Sequence, residues 1–270
     1  LTTDAFLATL RRFVSRRAKP VEILSDCGSN FVGANRQLQE LSRFLNKKKT
    51  QEALSDELAT EGIQWRFNPP GAPHFGGMWE AGVKSVKYHL KRIMGNVVFT
   101  FEEMYTALTQ IEACLNSRPL CPLSTDPLDL EVLTPGHFLT GTVLTAIPDA
   151  NLMQVPVNRL DRWQLIQRTV QHFWRRWSQE FLSRLQQRPK WWKPQPNLKE
   201  GAIVLIKEEN LPPLKWRMGR VIKVHPDENN RVRVATIRTS QGEMKRPVIK
   251  LALLPLDTQE DQQHEANEPI

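Results

Sequence analysis

The chain has 270 residues, 40% of them hydrophobic, with eight tryptophans and a formal net charge of +8 at pH 7. Such a length and apolar content allow one large or two ordinary folded domains, and the basic balance favours a polyanionic partner. No run approaches the roughly 18 apolar residues of a membrane span, no signal-peptide pattern opens the chain, and Cys27, Cys114 and Cys121 form no CxxC pair of the kind that holds zinc. An odd cysteine count fits a reducing compartment. The first residues, Leu1-Thr2-Thr3-Asp4, read as a helix start inside a longer protein, which predicts a fragment.

From Thr2 or Thr3, apolar residues at Phe6, Leu7, Leu10, Phe13 and Val14 predict a helix that Lys19-Pro20 stops. A buried strand follows at 21–24, then helices from about Ala34 to Leu45 and near 51–60. Ile63-Gln64-Trp65-Arg66-Phe67 alternates as a half-buried strand does, and the Pro/Gly-rich stretch 68–77 reads as a loop. Two helices are predicted at about 78–94 and 101–117. Residues 119–160 read as an extended connection with little core, and 160–187 as a long amphipathic helix whose aromatic stripe has core spacing. Short strands at 204–206, 220–224, 231–237 and 247–251, separated by turn signals, predict a small antiparallel barrel. Residues 257–270 are polar and acidic, a composition that predicts disorder.

The chemistry centres on Asp26 and Glu80. Asp26 ends the first strand and leads into Cys27-Gly28-Ser29-Asn30-Phe31; Glu80 opens a helix after Pro73-His74-Phe75-Gly76-Gly77-Met78-Trp79. Taken alone, Asp26 reads as a turn-capping residue and Glu80 as a solvated first-turn glutamate. Together, Ser25-Asp26-Cys27-Gly28-Ser29-Asn30-Phe31 and Pro73 to Lys87 resemble the catalytic core of retroviral-type integrases, most closely those of BEL/Pao-type LTR retrotransposons. The Trp-rich helix (Phe173-Trp174-Arg175-Arg176-Trp177) and the terminal barrel extend the resemblance over nearly the whole chain.

The resemblance implies a fold and a mechanism. The fold is an α/β RNase H-like core, N-terminally truncated, over 1–120. A linker with the Trp-rich helix (121–198), a small all-β Src-homology-3-like DNA-binding barrel (199–256) and a disordered tail (257–270) follow. The activity is DNA integration by metal-dependent strand transfer in a transposable-element polyprotein. Asp26 and Glu80 match the second and third carboxylates of the DDE triad and would be both catalytic and metal-binding, toward Mg²⁺ or Mn²⁺ at a two-metal site. The first carboxylate is expected on a strand before the helix that begins at Leu1, and Asp4 cannot replace it, so the site is incomplete. Cys27 stands where similar integrases carry Asn.

Nucleic-acid contacts are expected from Asn30, which also reads as a turn residue, from His74 in the loop, and from Lys84, Lys87 and Lys91 along the helix of Glu80. Glu80 and Lys84 could also form a surface pair in the free protein. In the barrel, Lys215, Trp216, Arg217, Arg220, Arg231, Arg233 and Arg246 interleave with apolar positions as a backbone-contacting surface would, though Trp216 fits a core position equally. The implied partners are element-end and target DNA and an intact integrase in a homo-oligomer, without a membrane or a small-molecule cofactor. The implied location is the nucleus and the cytoplasmic retroelement particle. A non-catalytic, integrase-derived DNA-binding or chromatin-associated protein is the alternative.

Overall fold

A computed structural model describes residues 2–45, 63–69, 77–124, 126, 129–186 and 197–254. The chain divides into two compact units, Leu1–Lys84 and Ser85–Ile270.

In the first unit, Thr2 caps helix α1 (Thr3–Arg17) by accepting the Ala5 N–H at 3.2 Å, and Arg16 and Arg17 occupy its last turn, where cations are favoured. Strand β1 (Glu22–Ser25) leads to helix α2 (Ser29–Leu45) and pairs in parallel with β2 (Gln64–Phe67), Ser25 opposite Phe67. Helix α2 begins at Ser29 rather than near Ala34. Phe31 supplies the apolar anchor for its first turn, meeting Phe6 edge-on at 4.9 Å. Gly33 faces Thr3, where any Cβ would collide with the threonine side chain, so glycine sets how closely α2 approaches α1. Trp65 fills the gap beside them, 5.7 Å from Phe6 and stacked at 5.9 Å on Phe67. The helix predicted near 51–60 lies outside the described residues, as do the loop positions 70–76.

Helix α3 (Gly77–Met94) runs across the division. In the second unit, α4 (Phe101–Asn116) begins at a capping box of Thr100 and Glu103. Helix α6 (Arg162–Leu185) is capped by Asp161, which accepts the Gln164 N–H at 2.7 Å. Its apolar stripe is buried as the spacing predicts: Val170, Phe173, Trp174 and Trp177 pack with Ile111 and Cys114 of α4.

The connection between α4 and α6 is not the coreless stretch predicted. It contains β3 (Cys121–Pro122) paired antiparallel with β4 (Val132–Leu133), then the short helix α5 (Pro135–Thr140). Val132 and Leu152 are buried. Gln171 of α6 straps the segment down, accepting the Leu152 N–H at 2.9 Å and donating to the Ala150 carbonyl at 2.7 Å. Its prolines suppress helical and strand periodicity, which is why the sequence hides this core.

The C-terminal strands are β5 (Ile203–Ile206), β6 (Met218–Pro226), β7 (Val232–Thr239), β8 (Gly242–Pro247) and β9 (Leu251–Leu253). They form one antiparallel sheet in the order β8-β7-β6-β5-β9. The predicted barrel is corrected to an open five-stranded sheet: β8 pairs with β7, β9 with β5, and no ladder joins β8 to β9. Residues 248–250, expected within a strand, are a 3₁₀ turn that carries the chain from one edge to the other. The sequence Ile203-Val204-Leu205-Ile206 is apolar throughout because β5 is buried on both faces. Val204 and Ile206 pack with Val221, Ala235 and Ile237 on one side. Ile203 and Leu205 pack with Leu182 of α6 and Val132 on the other.

Candidate nucleic-acid interface

Asp26 stands just past β1, at the carboxyl end of a parallel strand pair, a position where α/β sheets present functional groups. Its side chain is exposed, and Oδ1 accepts the Gly28 N–H at 2.8 Å in an Asx-type turn. The neighbouring backbone is pinned. Ser25 Oγ donates to the Asp26 carbonyl at 2.9 Å and accepts Trp65 Nε1–H at 2.9 Å. Cys27 Sγ donates to the Asn68 carbonyl at 3.3 Å, and Asn68 N–H donates to the Ser25 carbonyl at 2.9 Å. The thiol at 27 therefore acts as a clasp between the two strand ends. Asn30 is half-buried in the first turn of α2.

Glu80 is exposed in the first turn of α3, where the helix dipole favours a carboxylate. Lys84, Lys87 and Lys91 follow at i+4, i+7 and i+11, so they share its face, and all three are exposed. The Glu80–Lys84 pair that the spacing allows is not formed, and among the described residues no ion pair engages these lysines. Arg92, one position beyond, is occupied: its guanidinium lies 3.5 Å over the Tyr88 ring. His74 lies outside the described residues.

No three His, Cys, Asp or Glu side chains converge on a common point among the described residues. Asp26 spends one oxygen on its own turn. A two-metal site needs several carboxylate oxygens aimed at shared cations. Asp26 and Glu80 by themselves are too few ligands for a resident pair of divalent ions, and no third joins them among the described residues.

The basic residues of the sheet unit divide by their partners. Arg217 is held by Glu208 at 2.7 and 2.9 Å and by Gln241 at 2.7 Å. Arg220 donates to the carbonyls of Gly201, Asp126 and Asp129, tying the sheet to the β3–β4 loop. Arg233 pairs with Asp227 at 2.8 Å. The Asp227 carboxyl is held below its usual range, chiefly by the Arg231 backbone N–H, then by that of Asn229 and by Arg233. Trp216 is half-buried, edge-on to Trp174 at 4.8 Å and to Phe181 at 5.5 Å, with its N–H donated to Ser117 at 3.2 Å. These contacts give Trp216 a packing role in the free protein. Lys215 and Arg231 are exposed and Arg246 half-buried, with no ion pair on any of them among the described residues. Beside Trp216 opens a cavity of about 780 Å³, lined by Val132, Leu144, Leu214, Lys215, Met218 and Arg238 among others.

A cationic group on α6 was not singled out from sequence. Arg168, His172 and Arg175 fall at i, i+4 and i+7, a signal obscured by the tryptophans of the same helix.

A sequence family described as a family of unknown function (DUF5641) matches residues 161–254, the span from the cap of α6 to the end of the sheet. No curated protein matches the chain in sequence. Among solved structures, the chain is similar to one in the simian T-cell lymphotropic virus intasome in complex with PP2A regulatory subunit B56 gamma. The match has 14% identity and a TM-score of 0.32, and covers 94% of this chain and 65% of that one.

Proposed function

We propose that this chain binds nucleic acid in the manner of an integrase-type protein, contacting the phosphate backbone of duplex DNA without marked sequence preference. The observation that carries the reading is the lysine row of α3: Lys84, Lys87 and Lys91 are exposed on one helical face and held by no ion pair among the described residues. The formal charge of +8 supports it. Under this reading residues 1–120 correspond to part of an RNase H-like core, 121–198 to a linker and 199–256 to a Src-homology-3-like module. The partners are element-end and target DNA together with an intact integrase, in the nucleus or a cytoplasmic retroelement particle. A parent enzyme would join a DNA 3′-hydroxyl to a target phosphodiester.

The donor set favours the non-catalytic alternative for the chain as it stands. Among the described residues no third ligand side chain joins Asp26 and Glu80, so a metal-dependent step lacks part of its ligand set there.

The test is duplex-DNA binding measured across salt. Affinity should fall steeply between roughly 50 and 200 mM, and replacing Lys84, Lys87 and Lys91 by Gln should flatten the log–log slope by about 2 to 3. A binding constant indifferent to salt refutes the reading.

A further inference from the structure

Helix α6 carries a second set of cations that the α3 surface does not account for. Arg168, His172 and Arg175 share one face by their spacing, and Arg176 flanks it. Between Arg162 and Glu180 the helix sequence contains no carboxylate. Arg162 and Arg184 at its two ends are each held by a glutamate, Glu103 and Glu180. Arg168, Arg175 and Arg176 have no ion pair among the described residues.

Two nitrogens in this group are buried without a hydrogen-bond partner: Nε of Arg168 and Nε2 of His172. Buried polar atoms left unpaired are costly, and an exception calls for a physical explanation. The surroundings of His172 tell the same story. Burial, then Arg168, Arg175 and Arg176, hold its pKa below the ordinary value, opposed by a hydrogen bond with the Met153 backbone. The charged groups known to face the imidazole are therefore all cations.

We propose that Arg168, His172 and Arg175 form a phosphate-binding site on α6 that takes the diester backbone of a nucleic acid. The site rests on the nucleic-acid reading above and adds a contact to the α3 lysines. A guanidinium fork matches phosphate oxygens, and a phosphate supplies the anionic partner that this cation group lacks among the described residues. An anion seated there stabilises the imidazolium, so binding near neutral pH takes up a proton.

The test measures duplex-DNA binding by the full chain against salt, with calorimetry in two buffers of different ionisation enthalpy. The Arg168→Gln/Arg175→Gln variant should reduce the log–log salt slope by about 2 and weaken binding at least tenfold at low salt. His172→Gln should abolish proton uptake, while Lys87→Gln/Lys91→Gln should keep it. Arg175 is exposed, so Arg175→Gln alone, with a slope loss of about 1, serves if the double variant does not fold. A slope unchanged in these variants but reduced in Lys87→Gln/Lys91→Gln overturns the α6 site and leaves the nucleic-acid reading standing. Absence of salt-dependent binding by the parent chain overturns both.

Discussion

His89 sits on α3 with only 3% of its surface exposed, edge-on to Phe173 at 5.6 Å and 2.9 Å from Glu180, which also holds Arg184. Nδ1 has no partner, and the Glu180 contact is close but poorly aligned for a hydrogen bond. Burial therefore dominates and lowers the imidazole pKa below 6.5, Glu180 opposing and Arg176 and Arg92 assisting. A depressed histidine binds more protons unfolded than folded, so its stabilising effect is complete above the unfolded pKa. It is lost as pH falls through the folded value. We predict that thermal stability drops on acidification from roughly pH 7 to 5, and that His89→Phe makes this drop smaller. His172, shifted the same way, preserves part of it. Equal acid sensitivity in His89→Phe and the parent protein refutes the assignment. None of this was legible in the sequence, where His89 follows Lys87-Tyr88 on what reads as a basic surface. Asp26 and Glu80 were legible as motif positions, because strand-end and helix-start signals are local. How the two side chains are placed relative to each other is a tertiary property that no spacing encodes.

At the scale of elements, one glutamate organises the starts of two helices. Glu103 accepts the Thr100 N–H at 2.7 Å, and its own N–H donates to Thr100 Oγ1 at 3.3 Å. Its carboxylate also takes Arg162 Nε at 2.7 Å from the first turn of α6, while Arg162 reaches the Val98 carbonyl at 3.0 Å. The Arg162 contact first, then the Thr100 backbone, lower the Glu103 carboxyl to about 2. The interaction is therefore kept until strongly acidic pH. Thr100→Ala removes the hydroxyl from the box and should cost about 1 kcal/mol, read as a lower denaturant midpoint. A midpoint equal to that of the parent chain refutes it. Helices of this kind are readable because caps and apolar period agree: α4 and α6 fall within a few residues of their predicted spans. Strand β8 was unreadable for the opposite reason. Its Glu243, Lys245 and Arg246 leave an edge strand with no apolar alternation, and its existence depends on pairing with β7. Closure of a barrel likewise depends on long-range ladders, and here those ladders stop at five strands.

At the scale of the whole molecule, the second unit has cores that share members. Phe181 and Trp216 pack both against the cluster between α4 and α6 and against the cluster beneath β5 and β9. Trp216 contributes more than area, since its N–H ends on Ser117, which itself donates to the Cys114 carbonyl at 2.8 Å. Helices and sheet in this unit should consequently unfold together. Truncating a fully buried tryptophan costs about 3–5 kcal/mol, and a half-buried one falls at or somewhat below the lower end. We therefore predict that Trp216→Ala destabilises the unit by about 2–3 kcal/mol, while Trp216→Phe, which keeps ring packing but loses the Ser117 contact, costs less. Calorimetry should register one transition for this unit in the parent chain, shifted down but still single in Trp216→Phe. If the sheet melts separately from the helices, or if Trp216→Ala lowers duplex-DNA affinity without lowering stability, the tryptophan faces nucleic acid and not the core.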